Sequence, residues 1–217
     1  DKYQADFFFF FKEYYQLGEF NLDSLQENPQ KILENLNRFD AAIIAKPTEA
    51  FSDKEKYILD QYVMNGGKSM WLIDKVVMDI DSLQTENNSA LAYPRELNLD
   101  DLFFKYGIRI NYQLVQDLLS TPITAQSAQG DVPIDWLYSP IIKSEDNHSI
   151  TKNINLVKLE FANTIDTLKN GIKKTVLLKS SAQSKAVGAP LEVNLYQFMD
   201  NLNEEDFSKG NQTIGVL

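Results

Sequence analysis

The fold is decided by residues Arg38–Lys75, which read RFDAAIIAKPTEAFSDKEKYILDQYVMNGGKSMWLIDK. Two short apolar runs in this stretch, Ala41–Ala45 and Met70–Ile73, contain no polar residue. Uninterrupted apolar runs are typical of strands that a parallel sheet buries on both faces. The residues between them predict a helix, because apolar side chains recur at helical spacing at Ile58, Leu59, Tyr62 and Val63. The stretch therefore predicts a parallel βαβ unit with a right-handed crossover.

Both ends of this helix are marked in the sequence. Ser52 and Glu55 have the spacing of a capping box, in which the serine and glutamate side chains satisfy the first free backbone N–H groups. The residues Asn65–Gly67 end the helix, because glycine readily adopts the left-handed conformation that a helix C-terminus often needs. The helix is therefore expected to begin after Ser52 and to stop before Gly66.

Outside this unit the sequence predicts one soluble α/β domain over residues 1–217, with a mostly parallel sheet flanked by helices. Residues 1–120 form its parallel βα part, and residues 121–150, with scattered Pro, Gly and Ser, form an irregular loop. Residues 151–217 are expected to be rich in β-strands and more antiparallel. Asn170-Gly171 favours a hairpin turn in that part.

The first residues include five consecutive phenylalanines, Phe7–Phe11, within a predicted helix Lys2–Tyr15. Apolar residues on every face favour a buried helix. The alternative is an aromatic surface that contacts a partner, because exposed apolar patches mark interaction sites.

Three stretches resemble one known family. Ala41–Asp74, Leu97–Leu118 and His148–Phe161 are similar to the GldG family of gliding-motility-associated ABC-transporter auxiliary, substrate-binding-like proteins of Bacteroidetes. The resemblance implies a flavodoxin-like or class I glutamine-amidotransferase-like sheet. It also implies a periplasmic domain of an inner-membrane protein, anchored through segments outside this chain. The implied partners are the ABC permease and ATPase subunits of the same system, and homo-oligomerisation stays open. The resemblance supplies no catalytic residues.

Composition limits the classes of partner. The 217 residues carry a formal net charge of −10, with a sequence pI of about 4.6. A phosphate backbone is repelled by such a surface, so we expect no nucleic-acid partner. The chain contains no cysteine, which excludes disulfides and the cysteine nucleophile of amidotransferases.

Motifs for nucleotide or cofactor chemistry are missing. Gly67-Lys68-Ser69 matches the end of a phosphate-binding loop, but Tyr62 stands where that motif needs its first glycine. The Lys-Ser pair also opens a predicted strand, not a helix. GxGxxG and GxSxG are both absent. We therefore expect no cofactor and no enzyme activity.

The single histidine, His148, lies in a predicted loop, where a polar surface role is the simplest interpretation. The acidic groups Asp79/Asp81, Asp100/Asp101 and Glu204–Asp206 lack the spacing and the glycine of a calcium loop. For Asp100 and Asp101, the interpretation is favourable charge at a helix N-terminus. No metal site is predicted.

Two sets of binding residues remain. Ligands of open α/β sheets bind beyond the carboxyl ends of the strands, and Lys46, Thr48, Asp74 and Lys75 follow the two apolar strands. Trp136 and Tyr138 lie in the irregular loop, and aromatic residues dominate interface energetics.

These residues lead to two hypotheses. The first is a non-enzymatic periplasmic scaffold or recognition domain of an ABC transporter component, acting in gliding motility or associated secretion. The alternative is a small-molecule module for a glycan or peptide, which uses the crevice at the carboxyl ends of the strands.

Overall fold

The computed structural model describes residues 9–22, 28–127, 130–144, 148–199 and 202–217. Contacts divide the chain into two compact units. The first comprises Asp1–Ile43 and Ser52–Met70, and the second comprises Ile44–Phe51 and Trp71–Leu217. The expectation of one domain over the whole chain stays a prediction.

Three α-helices lie within the described ranges. They are α1 (Pro29–Leu36), α2 (Asp53–Met64) and α3 (Asp100–Tyr106). Short 3-10 turns occupy Asp81–Leu83 and Glu204–Phe207. Residues 9–12 are also helical, whereas the start of the predicted helix Lys2–Tyr15 lies outside the described residues. Phe9 and Phe10 are exposed, so these two rings are not buried as the favoured interpretation expected.

The strands are short and numerous. They are β1 (Ala41–Ala45), β2 (Lys68–Leu72), β3 (Val76–Val77), β4 (Ser89–Pro94), β5 (Ile108–Asp117), β6 (Ile123–Ser127), β7 (Gly130–Ile134), β8 (Ile141–Lys143), β9 (Leu156–Lys158), β10 (Asn163–Thr167), β11 (Val176–Lys179), β12 (Ser184–Gly188), β13 (Leu191–Asn194) and β14 (Thr213–Val216).

The βαβ unit forms where the sequence places it. β1 and β2 pair in parallel, and α2 lies between them in the chain. The Ser52 hydroxyl accepts from the Glu55 backbone N–H at 3.3 Å, and a Glu55 carboxylate oxygen accepts from the Ser52 N–H at 2.7 Å. Both halves of the predicted capping box are therefore present.

The predicted fold class is wrong, because this parallel sheet stops at two strands. The other sheets are small and antiparallel, and the described residues are 34% strand against 20% helix. The fold is therefore β-rich and not flavodoxin-like. Ile43, Met70 and Leu72 are exposed, so the two apolar strands are not buried on both faces either. An apolar run reveals that a strand is partly buried but does not reveal how many strands join it.

The longest strand, β5, organises the second unit. It lies between β10 and β12 and pairs antiparallel with both. Its partner β12 begins at Ser184 opposite Asp117 and ends at Gly188 opposite Gln113. A separate three-stranded sheet has the order β13-β4-β3.

The hairpin expected at Asn170-Gly171 does not form, because β10 pairs with β5 and β11 pairs with β14. Asn170 instead donates a side-chain hydrogen bond to the Lys105 carbonyl near the end of α3, at 3.0 Å. The predicted irregular loop also contains an antiparallel pair, β6 with β7. Asparagine and glycine mark a turn, but the pairing of the strands around it depends on residues far away in the sequence.

Each unit has its own apolar core. In the first unit α1 and α2 pack together, with buried Ile32, Leu33, Leu36, Ile58, Leu59 and Tyr62. The second unit has two clusters. One contains Val76, Leu83, Ala92, Leu114, Trp136, Tyr138, Phe161 and Val193, and the other contains Leu97, Leu99, Leu102, Phe103 and Ile110.

Candidate functional site

The structure brings together only some of the residues predicted at the carboxyl ends of β1 and β2. Lys46 and Asp74 form an ion pair at 3.5 Å, with both side chains partly exposed. The Thr48 backbone carbonyl accepts a long 3.5 Å hydrogen bond from Arg95. Because the charges of Lys46 and Asp74 offset each other and the parallel sheet has only two strands, the predicted crevice loses its main support.

Lys75, the fourth predicted residue, is turned inward and is 0% exposed. Its ammonium group donates to Asp100 Oδ1 at 2.7 Å and to the Tyr112 hydroxyl at 2.8 Å. The Lys75 backbone N–H donates to Asn163 Oδ1 at 2.7 Å, which fixes the main chain here. A buried ammonium is tolerated only when it is paired and hydrogen-bonded, and Asp100 supplies that pairing.

A second carboxylate joins this network through Tyr112. The tyrosine hydroxyl lies 2.9 Å from Glu96 Oε2 and 3.4 Å from Asp100 Oδ2. A phenol has one proton to donate, so it can serve only one of these two carboxylates at a time. Glu96, Asp100, Tyr112 and Lys75 thus form one cluster, in which Lys75 pairs with Asp100 and Glu96 is connected through the Tyr112 hydroxyl.

The pKa values of Lys75 and Tyr112 are both raised above their ordinary values, for different reasons. Burial alone would lower the pKa of Lys75, but the hydrogen bonds from the ammonium to Asp100 and Tyr112 and the nearby carboxylate charge raise it above its ordinary value. Burial raises the pKa of Tyr112, and the hydrogen bond to Glu96 acts in the same direction. At neutral pH Lys75 is therefore charged and Tyr112 is neutral.

A groove of about 350 Å³ runs beside this cluster, between α3 and the first half of β5. It is lined by Asp100, Phe104, Arg109, Ile110, Asn111 and Tyr112. This volume is at the lower end of the roughly 300–1,000 Å³ that is typical of ligand pockets. The groove therefore combines apolar and charged walls next to a fixed polar network.

Arg109 and Phe104 form the exposed walls of the groove. The Arg109 guanidinium Nε donates to Asp166 Oδ2 at 3.1 Å, from β5 to its neighbour β10. Phe104 is 65% exposed and projects from α3. It lies four residues after Asp100, on the same face of the helix. Helix α3 ends at Gly107, whose φ of 84° is left-handed, and β5 begins directly afterwards.

Trp136 and Tyr138 lie elsewhere, in the core of the second unit, where they are 1% and 0% exposed. Their rings contact each other at 5.4 Å, and both contact Phe161 and Phe198. The Tyr138 hydroxyl accepts from Gln116 Nε2 at 2.7 Å. The aromatic contact surface expected at Trp136 and Tyr138 is thus not exposed. Although both residues lie in an irregular part of the sequence, their large apolar rings are buried in the core.

Other candidate groups have structural roles. His148 Nδ1 accepts from the Ile150 backbone N–H at 3.2 Å within its own turn. Among the described residues, no group of three or more His, Asp or Glu side chains could hold a metal ion.

The groove residues were not predicted as a site from the sequence. Asp100 was interpreted as a favourable charge at the start of α3, and no pattern connected it with Lys75 or Tyr112. The available signal was Lys75 itself, a charged residue that directly follows an apolar strand. Its need for a buried counter-charge identifies the partner only once the fold brings Asp100 to it.

The fold and the groove define a β-rich domain with a surface groove between α3 and β5. A family model described as "ABC-type uncharacterized transport system" matches residues 1–217, so the chain belongs to this family of ABC transport auxiliary proteins. Membership makes it an auxiliary component associated with an ABC-type, membrane-associated transport system and indicates an accessory role. Within the part of the chain that the structure describes, no helix has the length and apolar character needed to span a bilayer.

Comparison with solved structures concerns the fold alone. The chain is similar to the "mmIFT52 N-terminal domain", with a TM-score of 0.53 and 15% sequence identity. The similarity covers 83% of this chain and 67% of that one. No curated protein matches the chain.

Proposed function

We propose that this chain is a non-enzymatic recognition domain of its ABC transport system, and that the groove between α3 and β5 is its contact site. The observation that carries the proposal is the groove itself, with an exposed aromatic ring beside a network of mutually bonded polar groups. Partner sites typically combine an aromatic anchor with a few well-placed polar groups.

The protonation states of the cluster support recognition over catalysis. A general base or acid works best when its pKa lies near the operating pH. The pKa values of Lys75 and Tyr112 are both raised from values already far above neutrality. Both groups therefore keep their protons at neutral pH and serve to hold the groove in shape.

The proposed setting is a periplasmic domain of an inner-membrane protein that contacts the permease and ATPase subunits of the same system. The family membership supports the transport association. The similarity of Ala41–Asp74, Leu97–Leu118 and His148–Phe161 to GldG supports a role in gliding motility or associated secretion. In this setting the groove holds a segment of a neighbouring protein.

Co-purification from membranes tests the proposal. The full-length protein, tagged and expressed with its permease and ATPase, is compared with the Phe104→Ala variant. The matched control is Tyr57→Ala, which removes an aromatic ring of similar exposure from α2. We expect the permease to co-purify with the wild type and the control, and to be depleted from Phe104→Ala. Equal recovery with all three proteins, or with none, would contradict the proposal.

A further inference from the structure

We infer that the occupant of the groove is an extended polypeptide segment that adds as a strand to the free edge of β5 and directs a basic side chain towards Glu96 and Asp100. The inference rests on the proposed recognition function and names its ligand class. It follows from the pairing of β5, the backbone direction along it, and the charges around the groove.

The first step is the extent of pairing along β5. On one side β10 pairs with Ile108, Arg109 and Ile110. On the other side β12 pairs only with Gln113–Asp117. Among the described residues, no strand therefore pairs with the Ile108–Asn111 segment on the side opposite β10. An unpaired strand edge presents a row of N–H and C=O groups that can pair with another chain.

The second step is the direction of the backbone groups. The Tyr112 carbonyl accepts from the Ala189 N–H at 2.9 Å, just beyond the end of β12. Val115 donates to the opposite side, to the Ala162 carbonyl at 2.9 Å. In the regular segment before Ile110, the Gly107 carbonyl accepts from the Leu168 N–H on the β10 side at 2.8 Å. Because backbone groups alternate between the two edges of a strand, Ile110 directs its N–H and C=O to the edge opposite β10, where Tyr112 bonds Ala189. That edge is the one left without a strand.

The third step is the position of the groove relative to this edge. Four consecutive residues of β5, Arg109 to Tyr112, line it. Successive side chains of a strand point to opposite faces of the sheet. A cavity that touches four in a row must therefore lie along the edge of the strand and not above one face. The groove occupies the position beside β5 that strand β12 would take if β12 were longer.

The final step is the side-chain chemistry of the occupant. Phe104 offers an exposed aromatic wall to an apolar side chain. Glu96 and Asp100 both lie within reach of the single proton of the Tyr112 hydroxyl, and the buried ammonium of Lys75 pairs with Asp100. The remaining negative charge favours a lysine or arginine of the ligand. Because Phe104 and Asp100 lie on one face of α3, an added strand reaches them with side chains two residues apart, which share a face of the sheet.

The test uses a displayed library of random seven-residue peptides, selected on the wild-type chain. We expect enriched peptides in which an apolar and a basic residue stand two positions apart. Each selected peptide is then synthesised with N-methyl groups at its odd or at its even positions. Because an added strand bonds through alternate residues, one methylated set should lose roughly tenfold or more in affinity, and the other set should not.

Variants of the protein locate the binding. Phe104→Ala and Glu96→Gln should each lower the affinity for the selected peptides by about tenfold. The control variants Tyr57→Ala and Glu192→Gln should leave the affinity unchanged. Failure to enrich any peptide, equal binding of both methylated sets, or equal binding to groove and control variants would overturn the inference. If the permease co-purifies through Phe104 while no linear peptide binds, the inference fails and the recognition function stands. If peptides bind but no transport subunit co-purifies, the inferred peptide site stands and the proposed function in the transport system fails.

Discussion

At the scale of single residues, Lys75 occupies a position that is unfavourable unless its charge is paired. Moving an ammonium group out of water costs several kcal/mol, roughly, even after relaxation of the protein. Asp100 and Tyr112 offset this cost through two short hydrogen bonds. Asp100 itself keeps contact with water, because its side chain is 56% exposed. The two partners of this ion pair are therefore not equivalent.

This asymmetry predicts the order of two substitutions. Asp100→Ala leaves the buried ammonium with one neutral partner and should lower the free energy of unfolding by about 3 kcal/mol. Lys75→Met leaves only a hydrated carboxylate and should lower it by about 1 kcal/mol or less. Urea unfolding at neutral pH measures both values. If Lys75→Met lowers the free energy of unfolding more than Asp100→Ala does, the attraction within the pair contributes more to stability than the cost of burying the cation.

The same cluster predicts a loss of stability in alkali. The pKa of Lys75 is raised above 10.5 in the fold, so its contribution is present below that pH and is lost as the pH rises through the folded value. The pKa of Tyr112 is raised above 10.0, so the unfolded chain ionises first and stability falls in the same window. Urea midpoints at about pH 8 and about pH 11 should therefore differ less in the Lys75→Met, Tyr112→Phe double variant than in the wild type. An unchanged difference would exclude these two groups as the cause.

At the scale of elements, the carboxyl end of β5 is held by a buried carboxylate. Asp117 is fully buried and accepts from the Leu119 N–H at 2.9 Å, the Ser181 hydroxyl at 2.6 Å and the Ser181 N–H at 2.7 Å. Ser180, the residue before Ser181, donates its backbone N–H to the Gln212 carbonyl. Its hydroxyl accepts from the Gln212 N–H. Asp117 thus connects the end of β5 to the segment after β11, and Ser180 connects that segment to the approach to β14.

Replacing this carboxylate should loosen the end of β5 and the Ser181 segment together. Asp117→Asn keeps the size of the side chain but turns an N–H₂ group towards backbone and hydroxyl donors. We expect a loss of roughly 2–4 kcal/mol, because hydrogen bonds to charged groups are the stronger ones and an unpaired buried donor is costly. Asp135→Asn, at an exposed position, is the matched control. Thermal unfolding of both variants measures the effect, and equal melting temperatures would contradict it.

Local elements were predictable from the sequence where short-range chemistry defines them. The bounds of α2 follow from Ser52, Glu55 and Asn65, and α3 stops directly before Gly107, a residue type that favours helix C-termini. The parallel pairing of β1 with β2 was also predictable, since one amphipathic helix connects them. Strand β4 was missed, because its residues Ser89–Pro94 end in proline and carry no strong alternation.

Partners distant in the sequence were not predictable. Asp100 and Lys75 are 25 residues apart, and Asp117 and Ser181 are 64 apart. No periodicity links such pairs, because they meet only when the sheets have formed. The groove depends on where β12 ends opposite Gln113, which is a matter of register. The sequence therefore indicates the helix that carries Phe104 but not the cleft beside it.

At the scale of the whole molecule, charge and architecture place different limits on partners. The formal net charge of −10 repels a nucleic-acid backbone. We expect no shift of double-stranded DNA in a mobility assay at about 150 mM salt, where the Debye length is about 8 Å. A shift that weakens steeply with added salt would reveal a basic patch and contradict the expectation. The acidic surface also suits the basic peptide inferred for the groove.

The division into two units has a practical consequence for spectroscopy. The chain contains two tryptophans, Trp71 and Trp136, and both belong to the second unit. Trp136 is enclosed by Tyr138, Phe161 and Phe198, and Trp71 lies against Phe51 and Phe103. Indole emission therefore reports directly on the second unit, whereas melting of the helices α1 and α2 is followed by far-ultraviolet circular dichroism. If the fluorescence and circular dichroism signals show different unfolding midpoints, the two units unfold independently.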